Sequence, residues 1–293
     1  MPAEAQLSKI DFWEQLIALE GRLTRREVNG TRSAFGTMDD DLFAYLLRKD
    51  FEDFPHIKSA LPDWPSEEIR RTSSEGFSLH DSVNEAVNFW KAVKSRYEAK
   101  TLRRVANSMV ADYGAGWGRI TRLCAKDVGP GRLTALEPNP LFCDLFEKLR
   151  VEANLTPTDW ASEKPLSIRD VDLVICFSVF THASRNLARN MFERFKEMTK
   201  PGGIIALTIR PGAYLRAPDG EMSHFGDAER ADALSDYDAG ELVFKPYREG
   251  GDWGVAIAPM TFLRALCGDA FAIDGPYLFL QNWTQTIVYL ERR

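Results

Sequence analysis

Residues 108–119 read Ser-Met-Val-Ala-Asp-Tyr-Gly-Ala-Gly-Trp-Gly-Arg. The first six predict a short buried strand. Gly114, Gly116 and Gly118 predict a tight turn. Residues 118–127 predict a helix with Ile120, Leu123 and Cys124 on one face. A strand, a glycine turn and a helix N-terminus make a cradle for an anion or a nucleoside. Glycine lets a ligand approach the backbone, and the first helical N–H groups have no partner in the helix.

Glycine spacing separates two kinds of ligand. Dinucleotide binding calls for G-x-G-x-x-G, whose third glycine packs helix on strand. Here the glycines follow G-x-G-x-G, and Arg119 holds the place of that third glycine. Asp112 stands two residues before Gly114. This D-x-G-x-G-x-G pattern resembles motif I of the class I S-adenosylmethionine (SAM) dependent methyltransferases. The resemblance implies that Asp112, Tyr113, Gly114, Ala115, Gly116 and Gly118 hold the methionyl part of SAM, with Asp112 toward its ammonium. It also implies the family's fold, an α/β, doubly wound, mostly parallel seven-stranded sheet.

Further motifs stand where that family needs them. Leu133-Thr134-Ala135-Leu136-Glu137-Pro138-Asn139 reads as a strand ending in an acid, 23 positions after Gly114. A carboxylate there can accept from both ribose hydroxyls, so Glu137, with Pro138 beside it, is expected at the ribose. A solvated or helix-capping glutamate is the plainer alternative. In Leu155-Thr156-Pro157-Thr158-Asp159-Trp160-Ala161, the resemblance places Asp159 at the adenine amino group and Trp160 over the ring. Pro157 and Pro165 also suit an ordinary surface loop. The apolar run at residues 171–177 suits a central strand buried on both faces. The resemblance sets Phe177 and Ser178 beside SAM. The turn and strand of residues 200–210 complete the match, which spans residues 105–210.

Class I enzymes share a cofactor site but no catalytic residue, because the sulfonium already activates the methyl. The protein positions the acceptor and excludes water, and a base is needed only when the acceptor must shed a proton. His182, just after the fourth strand, is one candidate base; a loop-shaping role is the alternative. His224 is the other. Arg210, at the end of the fifth strand, could grip an acceptor carboxylate or phosphate, or pair with nearby acids. Trp117, Tyr113 and Tyr214 are candidate lining of the acceptor pocket.

Residues 1–104 predict a helical N-terminal cap, followed by the core at 105–293. In the cap, Ile10, Trp13 and Ile17 share one helical face, with Leu16 adjoining. Leu42, Tyr45 and Leu46 recur at similar spacing, and Val83, Val87, Trp90, Val93 and Tyr97 mark a third helix. The core alternates strand and helix at residues 108–113, 117–127, 132–137, 139–150, 155–158, 171–177, 184–199 and 203–210. Leu141, Phe142, Leu145, Phe146 and Leu149 form one helical stripe. Such alternation implies a parallel sheet with ligands at the carboxyl ends of its strands. Residues 211–256 break the rhythm. Between residues 217 and 241 lie eight acids against one arginine, an acidic excursion expected over the site mouth. A helix at residues 259–268 and two strands at 271–280 and 284–290 close the chain, the last antiparallel in the resembled family.

A net charge of -6 argues against nucleic acid as the partner. No apolar run is long enough for a membrane span, and the N-terminus lacks a signal-peptide pattern. The four cysteines, Cys124, Cys143, Cys176 and Cys267, are far apart, so neither a disulfide framework nor a metal site is expected. A cytoplasmic setting fits. The expected activity is methyl transfer from SAM to a small-molecule or glycan acceptor, in particular a sugar hydroxyl. A non-catalytic SAM-binding subunit and a nicotinamide-dependent oxidoreductase are the competing readings. Oligomeric state is not legible.

Overall fold

Each parallel strand of the sheet ends at, or within two positions of, a polar or glycine residue, and those ends meet at one edge. The structure, a computed structural model, describes residues 9–49, 52–73, 78–160, 166–216, 225–279 and 284–293. Strands β1 (Val110–Tyr113), β2 (Leu133–Glu137), β3 (Asn154–Pro157), β4 (Val171–Cys176) and β5 (Thr199–Ile209) are mutually parallel. A hairpin of β6 (Val243–Pro246) and β7 (Gly254–Ile257) stands apart from them. Strands β8 (Phe271–Leu278) and β9 (Thr286–Arg292) complete a seven-stranded sheet of order β3-β2-β1-β4-β5-β9-β8. β9 runs antiparallel between β5 and β8, as expected. The order reverses between β1 and β4, the place where open α/β sheets bind ligands.

Helices α1 (Lys9–Thr24), α2 (Thr31–Phe35), α3 (Asp40–Arg48), α4 (Pro55–Ala60), α5 (Glu67–Ser73) and α6 (Leu79–Thr101) precede the sheet. Helices α7 (Thr121–Asp127), α8 (Pro140–Lys148) and α9 (Arg185–Met198) connect its strands. Helices α10 (Ala213–Arg216) and α11 (Asp227–Asp238) lie in the excursion, and α12 (Met260–Cys267) precedes β8. Alternation along β4 divides the core. Leu173 and Ile175 pack with α6, α7 and the cap, whereas Val174 and Cys176 pack with α9 and α12. The cap therefore shares one continuous apolar core with the sheet. Its centre is the predicted stripe of Val83, Val87, Trp90, Val93 and Tyr97, all buried.

Some predicted faces and ends differ. In α1 the buried residues are Leu16 and Leu19, while Trp13 and Ile17 are 46% and 62% exposed. In α3 Phe43, Ala44, Leu46 and Leu47 are buried and Tyr45 is exposed. Both helices carry apolar residues on two adjoining faces, so spacing alone could not choose between them. Leu141, in the first turn of α8, is exposed while Phe146 and Leu149 are buried. The strand before the glycines starts at Val110. The following helix starts at Thr121 rather than residue 118, because the glycine turn extends through Ile120.

An ion cluster pins the cap to α7. Lys126 Nζ lies 2.8 Å from Asp40 and 3.1 Å from Asp127, and Lys94 bonds both acids. Trp90 Nε1 donates to Asp127 at 2.7 Å. Lys126 is 3% exposed, so pairing with acids is what makes its burial tolerable.

Candidate functional site

The carboxyl ends of β1, β2, β4 and β5 open into a cleft of about 1190 Å³. Single small-molecule sites typically span roughly 300–1,000 Å³, so this one has room for a donor beside an acceptor. Its lining includes Asp112, Gly114, Ala115, Gly116, Glu137, Pro138, Asp159, Trp160, Phe177, Ser178, Trp117, His182, Arg210 and Tyr214.

The glycine turn has a specific shape. Gly114, Gly116 and Gly118 all have positive φ, at 80°, 57° and 88°. A Cβ on Gly114 would meet Val179 Cγ2 at 2.4 Å, and one on Gly118 would meet Val151 at 2.9 Å and Phe146 at 3.1 Å. A Cβ on Gly116 would meet nothing within 4 Å. Gly116 thus borders open cleft, whereas Gly118, which is not part of the lining, lets the turn pack on α8.

Asp112 lies at the base of the cleft, 2% exposed, and accepts from the Thr121 hydroxyl at 2.5 Å. Burial pushes its carboxyl up to about 7, the Thr121 bond opposes that, and the charge of Glu137 adds to it. Glu137 is 4% exposed and accepts from Gly116 N–H at 2.7 Å and Asn139 N–H at 2.9 Å, one on each oxygen. Burial raises its carboxyl too, against those two bonds. A carboxylate offers about four lone-pair positions, so each oxygen keeps one for a ligand hydroxyl. A buried acid at the first strand tip, a two-oxygen acceptor at the second and an open glycine turn between them fit a nucleoside bearing an ammonium. SAM is such a molecule.

Two more groups in the cleft point the same way. Gln285, 3% exposed, donates from Nε2 to Ser178 Oγ at 3.1 Å, and among the described residues its buried Oε1 has no hydrogen-bond partner. The indole N–H of Trp160 is likewise buried without one. Buried polar atoms of this kind are costly unless a ligand or water satisfies them. Ser178 holds φ at 58° and donates its N–H to Thr208 Oγ1 at 2.7 Å.

Trp117 and Tyr113 depart from expectation. Trp117 borders the cleft on the cap side, 3% exposed, with Nε1 donating to Ser73 Oγ at 2.9 Å and the ring edge-on to Trp64. Tyr113 is not part of the lining. Strand alternation turns it to the opposite face of the sheet from Asp112, where it stacks on Trp160 at 5.6 Å and meets Phe195 edge-on. Its hydroxyl is held protonated well above its ordinary range by burial. Arg119, read from sequence only as a missing glycine, lines the cleft and pairs with Glu85 of α6 at 2.7 Å. Its guanidinium lies 4.9 Å from the Phe177 ring centroid.

The other end of the cleft is built by the excursion. Gly254 N–H donates to His182 C=O and Ala256 N–H to Thr181 C=O, each at 2.9 Å, and Ser184 N–H donates to Asp252 C=O at 3.0 Å. The β6–β7 hairpin is thereby laced to the loop after β4. His182 stacks on Trp253 at 5.1 Å, and Trp253 lies 5.4 Å from Trp160. Arg210, 3% exposed, donates to Thr181 C=O and lies over the Tyr214 ring at 5.1 Å. Sequence reasoning missed Tyr247, Asp252 and Trp253, all of which line the cleft. Only pairing across 70 positions brings them there, and no local pattern encodes that pairing. Thr72 and Ser73 line the cleft from the cap. Residues 74–77, which follow them in the chain, and His224 lie outside the described residues.

Residues 110–203 match a family of proteins described as a methyltransferase domain. The chain thus carries a SAM-dependent methyltransferase domain, with SAM as its cofactor. Similar solved structures include magnesium protoporphyrin IX methyltransferase from Synechocystis PCC 6803 with bound S-adenosylhomocysteine (SAH). It is 15% identical, over 78% of this chain and 94% of that one, at a TM-score of 0.49. The glycopeptide N-methyltransferase MtfA complexed with SAH is also 15% identical, over 79% and 100%, at 0.49. The CcbJ methyltransferase from Streptomyces caelestis is 12% identical, over 78% and 93%, at 0.49. A comparison with curated proteins finds no match. Among the described residues, no helix is long and apolar enough to cross a membrane.

Proposed function

We propose that the chain methylates a hydroxyl of a small polar acceptor, with a sugar unit the first class to try. In this reading Asp112, Gly114, Ala115, Gly116, Glu137, Pro138, Asp159, Trp160, Phe177 and Ser178 hold SAM, and Gly118 supports the turn from behind. His182 takes the acceptor proton, and Arg210 and Tyr214 border the acceptor. SAM, when bound, supplies a methyl already activated by its sulfonium. The acceptor oxygen gives its proton to Nε2 of His182 as it bonds to the methyl carbon, and the electron pair of the broken carbon–sulfur bond stays on sulfur.

The observation that carries this reading is the pair of exposed aromatics, Trp253 at 38% and Tyr247 at 51%, bracketing His182 beside Asp252, Asn186 and Asn190. Flat apolar faces among amide and carboxylate groups suit a ring bearing several hydroxyls. Cofactor identity is tested by calorimetric titration with SAH, with NAD and NADP in parallel. Micromolar binding of SAH alone is expected. Labelled methyl transfer to a panel of sugars, amines and carboxylates then tests the acceptor; label on amines alone would overturn the hydroxyl reading.

A further inference from the structure

We propose that the β6–β7 hairpin is the positioning element of the catalytic base, with Tyr247, Gly254 and Trp253 together fixing His182 as an Nε2 base. The inference rests on the proton-transfer reading of His182 given above. Nδ1 of His182 lies 2.8 Å from Gly254 C=O and 3.0 Å from Tyr247 Oη. A carbonyl only accepts, so the neutral ring carries its proton on Nδ1, and Tyr247 Oη accepts a share of the same proton. Nε2 is then the basic nitrogen. When Nε2 gains a proton, the imidazolium Nδ1–H donates more strongly to both oxygens. Trp253, stacked at 5.1 Å and 25°, presents its π-face to the new charge. Gly254 C=O, Tyr247 and Trp253 thus do together what a carboxylate does for the histidine of a hydrolytic triad.

The hairpin can hold this arrangement because it is fixed at both ends. Tyr247 N–H donates to Trp253 C=O at 3.0 Å, closing the turn, and Gly254 N–H donates to His182 C=O. A Cβ on Gly254 would meet Lys245 O at 2.1 Å, so only glycine brings this carbonyl so near the ring. The charged and titratable groups facing this region come from several elements. Asp252 of the hairpin accepts from the Ser184 hydroxyl at 2.5 Å, and Arg210 at the end of β5 is held on Thr181 C=O. Asp159 lines the same cleft after β3. Arg185, at the start of α9, pairs with Glu241.

The test is nitrogen-15 NMR of the imidazoles in the SAH-bound protein, with the His182 signal among the four histidines assigned by His182→Gln. An Nδ1–H tautomer is expected. Tyr247→Phe and Trp253→Leu are each expected to lower the titration midpoint of His182 by about half a pH unit. The acid limb of kcat/KM should move with it, while SAH affinity stays within about twofold. A proton on Nε2, or midpoints unmoved in both variants, overturns the proposal. The NMR readout needs no acceptor, so failure of the hydroxyl reading shows separately. Label then reaches no hydroxyl acceptor while tautomer and midpoints follow expectation, and the positioning stands.

Discussion

The Thr121 hydroxyl donates to Asp112 at 2.5 Å, joining the first residue of α7 to the base of the cleft. Asp112 is raised to about 7 by burial, so the folded protein takes up a proton there that the unfolded chain, near 3.8, has already lost. The unfolded state then binds fewer protons, and stability from this group falls as pH rises between about 4 and 7. A ligand ammonium reverses the preference by favouring the carboxylate. SAH affinity is therefore expected to rise about tenfold per pH unit up to about 7 and then level off. Calorimetry in two buffers of different ionisation enthalpy reads the released proton directly. Asp112→Asn should flatten the profile.

Gly114 and Gly116 are expected to respond differently to a side chain. Gly116→Val places its methyls in open cleft at a strained φ, costing about 1–2 kcal/mol while blocking the cofactor. SAH binding should vanish with thermal unfolding only a few degrees lower. Gly114→Ala drives its Cβ into Val179 and should melt lower than Gly116→Val. Normal SAH binding by Gly116→Val would show that the nucleoside lies elsewhere.

The ion cluster beneath the cap sets acid stability. Burial works against the Asp40 carboxylate, but hydrogen bonds from Lys126 and Lys94 outweigh it, and its pKa is lowered. A lowered acid contributes stability above its unfolded value, near 3.8, and that contribution is lost as pH falls through the folded one. Asp40→Asn takes one acid partner from the buried Lys126 and the half-buried Lys94 and should cost about 3 kcal/mol at pH 7. The gap to the parent protein should close in denaturant titrations below pH 4.

Two lining residues should separate chemistry from binding. His182→Ala is expected to lower kcat about 10²- to 10⁴-fold with SAH affinity unchanged. Gln285→Met removes the buried amide oxygen that no described residue satisfies and should raise KM severalfold with little change in stability. Steady-state kinetics on the first acceptor found would tell the two apart. An unaltered kcat in His182→Ala would eliminate it as the base.

The mostly parallel sheet and the glycine-turn side of the cleft were readable because their signals are local. A strand, three glycines with positive φ and an acid at the next strand tip occupy one short stretch, and the backbone geometry of that stretch demands those residues. The side of the cleft built by the β6–β7 hairpin was not readable. Trp253 reaches His182 only through a hairpin laced to a loop some 70 residues earlier, and Glu85 finds Arg119 only when α6 crosses the sheet. Tyr113 misled for a simpler reason. Adjacent strand residues face opposite ways, and Asp112 took the cleft side. Trp13 and Ile17 misled because α1 offers two apolar stripes, and only tertiary packing selects Leu16 and Leu19.

Arg122 is wholly buried between Trp64 and Trp117, 4.0 and 5.0 Å from their ring centroids, and burial lowers its pKa to about 9. It donates to Asp63 C=O of the cap at 2.8 Å and to Gly118 C=O of the glycine turn at 2.9 Å. One cation thus rivets the leading helices to the glycine turn. The two regions are therefore expected to open as one cooperative unit, with amide exchange in the leading helices tracking that in β1. A nucleoside that stiffens the turn should then be felt as slower exchange at Asp63, on the far side of that rivet.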